Sequence, residues 1–275
     1  MQKGAFHGSL IGTCKQYITV PAALVGYEFP EETEPFNVVD PSRHICLNGS
    51  WTDRDKASYN ILGSGMILLK NYINIKGQVG IVNTIQRCAV GPGRFYEPRN
   101  QYGDKLRLHM TTFGRNWDPV TRYEKRCRSD DESAGPPPIP YSFIYLAETA
   151  IKDAQTYMNG LPSMHPDICV ANFYYTCGRL GIHQDRDESS ESLESGLPVV
   201  SISVGYTGEF WYGHTKDESK LCKVLLESGD VLIFGGESRL VFHGVKKIIP
   251  MSSPSELTDL VELRPGRLNL TLKQV

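Results

Sequence analysis

The chain has 275 residues, with 29 Lys and Arg against 31 Asp and Glu, a formal charge of −2, 40% hydrophobic residues and 22% charged residues. This composition excludes a wholly disordered, collagen-like or coiled-coil chain, and the length allows two modules or one large β-rich domain able to bury a core. No run approaches the roughly 20 apolar residues of a membrane span, and no secretory apolar stretch follows Met1-Gln-Lys-Gly. We therefore expect a soluble intracellular protein, nuclear or cytoplasmic, monomeric and without a membrane partner. Its seven cysteines form no C-x-x-C pair, which points to reduced thiols rather than a disulfide framework or zinc finger.

Residues 1–57 carry scattered Pro, Gly and Glu with little periodicity and read as an irregular segment. Tyr59–Leu62 and Met66–Leu69 are dense enough in apolar residues for a helix, though Gly63 and Gly65 interrupt it. From Ile81 to Arg128, Gly and Pro mix with aromatic and basic residues; within 94–128 nine basic residues face four acidic ones. A loop with three consecutive prolines covers Ser129–Pro140. Beyond it, Phe143, Leu146, Ala147, Ala150, Ile151 and Ala154 recur at helical spacing. From Asp167 the period changes to two. Short runs at 168–175, 198–205, 209–212, 223–227, 230–234 and 267–272 predict an all-β barrel or sandwich. The organisation expected is an N-terminal extension with helices over 1–80, a lid and supporting helix over 81–165, and a β core over 166–275.

Two H-x-D triplets occur, His165-Pro-Asp167 and His183-Gln-Asp185. Residues two apart on a strand share a face and can reach one metal ion. The proline and the preceding Leu161-Pro162 make the first triplet a loop entering a strand, a chance match. His183 and Asp185 have better company. His243 ends a β-like run 60 residues downstream, and two imidazoles with one carboxylate suit a non-haem iron that keeps three positions open. Arg267-Leu-Asn-Leu-Thr-Leu-Lys273 alternates strictly, which puts Arg267, Asn269, Thr271 and Lys273 on one face. Such a strand can be an edge with its polar side in water; beside a metal triad, its guanidinium fork suits a dicarboxylate cosubstrate. Asn172 and Tyr174 also lie two apart, and their amide and phenol could bond a second carboxylate.

Asn172-Phe-Tyr, Gly178, His183-Gln-Asp-Arg-Asp187-Glu, Ser201-Ile-Ser-Val-Gly205, Ser228-Gly-Asp-Val, Gly235-Gly-Glu-Ser-Arg239, His243-Gly and Arg267-Leu-Asn-Leu-Thr appear in order. With these motifs, residues 105–275 resemble the AlkB family of Fe(II)/2-oxoglutarate dioxygenases, and within it the first-homologue subfamily. The resemblance implies an α+β, β-rich fold with a double-stranded β-helix (jelly roll) core, N-terminal helices and a nucleotide-recognition lid. It implies His183, Asp185 and His243 as iron ligands, with Asn172, Tyr174, Arg267, Asn269 and Lys273 around 2-oxoglutarate, and O2 as oxidant. Asp187 would face the exocyclic amine of a methylated adenine. Trp117 would stack on the flipped base and Tyr123 would meet backbone phosphate. The acidic loop at 187–194 would repel a backbone, so the nucleic acid would approach from the lid side. Most members carry a second Arg where this chain has Lys273, which keeps the charge but loses the fork.

The activity so implied is removal of an N-methyl group, 1-methyladenine or N6-methyladenine being favoured, from single-stranded or locally unpaired RNA or DNA. Formaldehyde, succinate and CO2 would be released. The alternative is a 2-oxoglutarate oxygenase hydroxylating a protein or small molecule.

Overall fold

The computed structural model describes residues 50–52, 57–89, 94–124 and 136–275. The expectations for residues 1–49, for Lys125, Arg126 and Arg128, and for most of the proline loop lie outside them.

The two apolar stretches expected to be helical are strands. β1 (Ser58–Gly63) and β2 (Met66–Lys70) form an antiparallel hairpin through Gly65, whose φ of 75° suits glycine. Ile67 and Leu69 enter one core while Met66 and Leu68 enter another, so the run is a strand covered on both faces, a setting that hides the period of two. The helix lies later, in α1 (Ile75–Cys88), where Asn74 accepts the Gly77 N–H and caps the start. Gly77 and Gly80 weaken its helical signal, yet a Cβ on Gly80 would lie 2.7 Å from the Trp51 ring. Those glycines let the tryptophan pack flat on the helix.

β3 (His109–Phe113) precedes a small hairpin of β4 (Asn116–Asp118) and β5 (Arg122–Glu124). Asp118 Oδ1 accepts from the N–H groups of Val120 and Thr121 at 2.8 and 2.9 Å, which closes its turn. The expected helix is α2 (Tyr141–Gln155), and the six apolar residues that predicted it are its buried face. Then come β6 (Ile168–Tyr174), β7 (Leu180–His183), α3 (Ser190–Glu194), β8 (Val199–Gly205), β9 (Thr207–Gly213), β10 (Cys222–Leu226), β11 (Val231–Phe234), β12 (Phe242–Ile249), α4 (Ser255–Leu260) and β13 (Arg267–Lys273). Helix α3 interrupts the stretch expected as acidic loop.

The strands form an antiparallel jelly roll: a seven-stranded sheet ordered β1-β2-β11-β8-β13-β6-β3 faces a four-stranded sheet ordered β10-β9-β12-β7. Strand alternation sorts the residues between two cores. Leu268, Leu270 and Leu272 of β13 and Cys169, Ala171 and Phe173 of β6 meet α1 and α2 on the outer face of the large sheet. Ile168, Val170 and Tyr174 of β6 meet Phe210, Val245 and Ile248 between the sheets. The polar face of β13 also points between the sheets, so the site lies there. At the boundary expected at residue 80, β2 is hydrogen-bonded to β11 within the large sheet and α1 runs across position 80. No helix among the described residues is long and apolar enough to cross a membrane, and Cys88, Cys169, Cys177 and Cys222 are free thiols.

Candidate metal and cosubstrate site

Strands β7 and β12 pair so that His183 and His243, 60 residues apart, are direct cross-strand partners, with ring centroids 4.5 Å apart. Asp185 follows two residues after His183, and its carboxylate oxygens lie 3.6 Å from His183 Nε2 and 3.8 Å from His243 Nε2. One ligand atom from each of the three side chains falls within 4.8 Å of the others. Each imidazole is fixed from behind: His183 Nδ1 donates to the Gly181 carbonyl at 2.8 Å and His243 Nδ1 to the Val241 carbonyl at 3.0 Å. A carbonyl can only accept, so each Nδ1 carries a proton and each Nε2 is turned toward the carboxylate. Burial and the neighbouring imidazole push His243 down to about 4, which keeps it neutral. His183 shifts the other way: burial lowers it, but the Asp185 carboxylate and the Gly181 carbonyl outweigh burial and raise it. Two imidazoles and a carboxylate form a donor set that fits Fe(II).

The other H-x-D triplet belongs elsewhere. Asp167 accepts from Arg115 at 2.9 and 3.1 Å and from the Val275 N–H, while His165 pairs with Glu148.

The cavity beside the triad has a volume of about 180 Å³, and Asn172, Tyr174, Arg267, Asn269, Thr271 and Lys273 all line it. Arg267 is 1% exposed. Its Nη1 donates to the Leu226 carbonyl at 3.1 Å and its Nη2 to Ser203 Oγ at 2.8 Å, while its buried Nε has no partner among the described residues. A Cβ on Gly208 would stand 3.0 Å from that Nε, so the glycine leaves room for the guanidinium. Burial lowers Arg267 to about 10, which leaves it charged at neutral pH. A buried cation with an unused N–H fits a carboxylate such as an end of 2-oxoglutarate. Arg267→Ala should raise the 2-oxoglutarate concentration needed for half-maximal succinate release by the equivalent of about 1.5–3 kcal/mol. An unchanged requirement would make Arg267 a structural plug. Asn269 donates to Ser201 Oγ and the Ile202 carbonyl and accepts from Thr271, so its amide is already oriented.

Lys273, expected beside the cosubstrate, lines the cavity and is also held by three groups of the chain. Its Nζ lies 3.1 Å from Asp185 Oδ1 and 2.9 Å from Glu188 Oε1, and it donates to Tyr123 Oη at 3.1 Å. Although burial works against its charge, Asp185, Tyr123 and Glu188 together raise its pKa well above the ordinary lysine value. Two residues here were given no role by the sequence. Glu188 and Arg239, with side chains 0% and 3% exposed, form a buried pair at 3.0 Å, and Arg239 Nη1 donates to the Asp185 carbonyl at 2.6 Å. Both stood within the quoted motifs; the only available signal was that family pattern, because charged residues are ordinarily read as solvated.

The β4–β5 hairpin covers the mouth. Trp117 Nε1 donates to Asp187 Oδ2 at 2.8 Å, and Arg122 Nε stands 3.9 Å from Asp187 Oδ1. Trp117, Tyr123 and Asp187 line the same cavity as the triad. Tyr123, expected to meet phosphate outside, is half-buried and turns its hydroxyl inward to Lys273, whose ammonium offers it a charge-assisted hydrogen bond.

The sequence profile of the 2OG-Fe(II) oxygenase superfamily matches residues 65–273. The chain is 48% identical over 225 residues to the DNA N(6)-methyladenine demethylase ALKBH1D of Arabidopsis thaliana, covering 78% of this chain and 50% of that protein. It is 35% identical over 184 residues to the alpha-ketoglutarate-dependent dioxygenase AlkB homolog of Caulobacter vibrioides, covering 66% of this chain and 74% of that one. The solved structure of OsALKBH1 superposes with a TM-score of 0.75 at 47% identity, over 79% of this chain and 100% of the other. The chain spans about half the length of the Arabidopsis relative. With a profile match across three quarters of its length and relatives of this closeness, the chain belongs to the 2OG-Fe(II) oxygenase superfamily and, within it, to the AlkB family.

Proposed function

We propose that this chain is an oxidative demethylase that removes N-methyl groups from unpaired or flipped bases of DNA or RNA, with adenine methylated at N1 or N6 as the favoured target. One observation carries the reading: a single cavity is lined by a two-imidazole, one-carboxylate cluster, a buried guanidinium with an unused donor, and an aromatic hairpin at its mouth. His183, Asp185 and His243 would hold Fe(II), while Arg267, Asn269, Asn172 and Tyr174 would hold the 2-oxoglutarate carboxylates. When bound with dioxygen, iron and cosubstrate supply the oxidation, in which 2-oxoglutarate becomes succinate and CO2 and the hydroxylated N-methyl group leaves as formaldehyde. Phe210, Phe234 and Leu226 line the same cavity and keep water from its walls.

A methyl group inside a duplex cannot reach an enclosed cavity, so the base must leave its stack. Trp117 would replace the lost stacking, and the second oxygen of Asp187 would accept from an adenine amine. The names of the Arabidopsis and Caulobacter relatives agree with this chemistry.

Incubating the iron-loaded protein with 2-oxoglutarate and methylated single-stranded DNA and RNA, then weighing the digested nucleosides, tests the reading. Loss of the methyl mass in step with succinate release is expected. Succinate release without methyl loss would favour the alternative, hydroxylation of a protein or small molecule. Trp117→Ala should weaken nucleic-acid binding by about 1–3 kcal/mol and leave metal affinity unchanged. Equal affinity of native and variant protein in an oligonucleotide titration would remove Trp117 from the substrate site.

A further inference from the structure

The three acceptors around Lys273 sit on different parts of the chain. Asp185 belongs to the metal cluster, Glu188 to the loop leading to α3, and Tyr123 to the lid hairpin, at 3.1, 2.9 and 3.1 Å. An ammonium has three diverging hydrogens and can serve three such acceptors at once, whereas a guanidinium fork presents parallel donors in one plane. With its side chain 6% exposed, Lys273 donates a hydrogen bond to Tyr123 and is ion-paired with both carboxylates.

We propose that Lys273 is a positioning residue that links the lid hairpin to the Asp185 carboxylate, so that loading the cluster with a divalent cation tightens the lid. The proposal rests on the metal reading given above. The physical step is repulsion. A cation drawn onto Asp185 stands close to the Lys273 ammonium and disfavours the Lys273–Asp185 contact. The ammonium then leans on its two other acceptors. Glu188 cannot follow it away, because Arg239 grips Glu188 Oε2 and also holds the Asp185 carbonyl, which closes a ring of two acids and two bases. The stronger pull therefore falls on Tyr123 and through it on the hairpin. Other polar anchors of that hairpin include Trp117 and Arg122 on Asp187 and Asn116, which accepts from Thr112 Oγ1 at 2.9 Å; Tyr123 is the one that reaches Lys273.

Hydrogen exchange of residues 116–124, followed by mass spectrometry with and without Co(II) and without cosubstrate or nucleic acid, tests this. In the native protein Co(II) should slow exchange of the hairpin about five- to tenfold, within the reach of one charge-assisted hydrogen bond. In Lys273→Met and in Tyr123→Phe the ligand-field bands should still report bound Co(II) while the slowing vanishes. Tyr123→Phe removes a single hydroxyl and carries the test alone if Lys273→Met fails to fold. A hairpin that ignores Co(II) in the native protein, or keeps the full slowing in Tyr123→Phe, overturns the coupling and leaves the metal reading standing. Absence of Co(II) bands in the native protein overturns both.

Discussion

Replacing Asp185 with alanine is expected to abolish succinate release while the far-UV spectrum stays native. Asp185 is the carboxylate of the cluster, within 3.8 Å of both Nε2 atoms, and its loss leaves two imidazoles that hold a divalent ion weakly. Losing an outer partner of a metal ligand costs about 10–100-fold in affinity or activity, so losing a ligand itself should exceed that range. The fold should survive because Lys273 keeps Glu188 and Tyr123 as partners. Asp185→Asn provides a control of nearly equal shape, since it removes the charge but little volume. Turnover within tenfold of native in either variant would refute the metal assignment.

Replacing Glu188 with alanine should produce the largest loss of stability among the substitutions considered. Its carboxylate is fully buried between Arg239 and Lys273; its removal leaves the buried Arg239 guanidinium without its acid, while Lys273 keeps Asp185 and Tyr123. Breaking a buried pair by deleting one partner costs about 3–5 kcal/mol. For a fold of this size that corresponds to a fall in Tm on the order of 10 °C. The double variant Glu188→Leu with Arg239→Met should recover part of the loss, because it removes the stranded charge together with its partner. A fall of only a degree or two in the single variant, as for an exposed pair, would show that the pair is hydrated.

How much of this was legible in the sequence depended on whether a residue's role is local. The face of β13 that carries Arg267, Asn269, Thr271 and Lys273 alternates with three leucines, and both sets went where a period of two sends them. The apolar face of α2 was likewise readable from its spacing. The opposition of His183 and His243 was legible only as motif order, because strand register between residues 60 apart is not written in either segment. Where local pattern is diluted the reading failed. β2 is covered on both faces and so shows no alternation, and α1 carries two glycines whose purpose is visible only once Trp51 lies on them. Glu188, Arg239 and the inward turn of Tyr123 escaped for a common reason: residue types usually found at the surface were buried by partners distant in the chain. Lys273 was read as a departure from the family arginine, but its three acceptors come from two separate segments and could not be foreseen.

Calorimetric titration of Co(II) into the native protein and into His243→Ala tests most directly whether the two strands and the loop build one metal centre. The native protein should bind one ion per chain, and the variant should bind it more than about 100-fold more weakly. No saturable binding, or an isotherm indifferent to the loss of His243, would contradict the account.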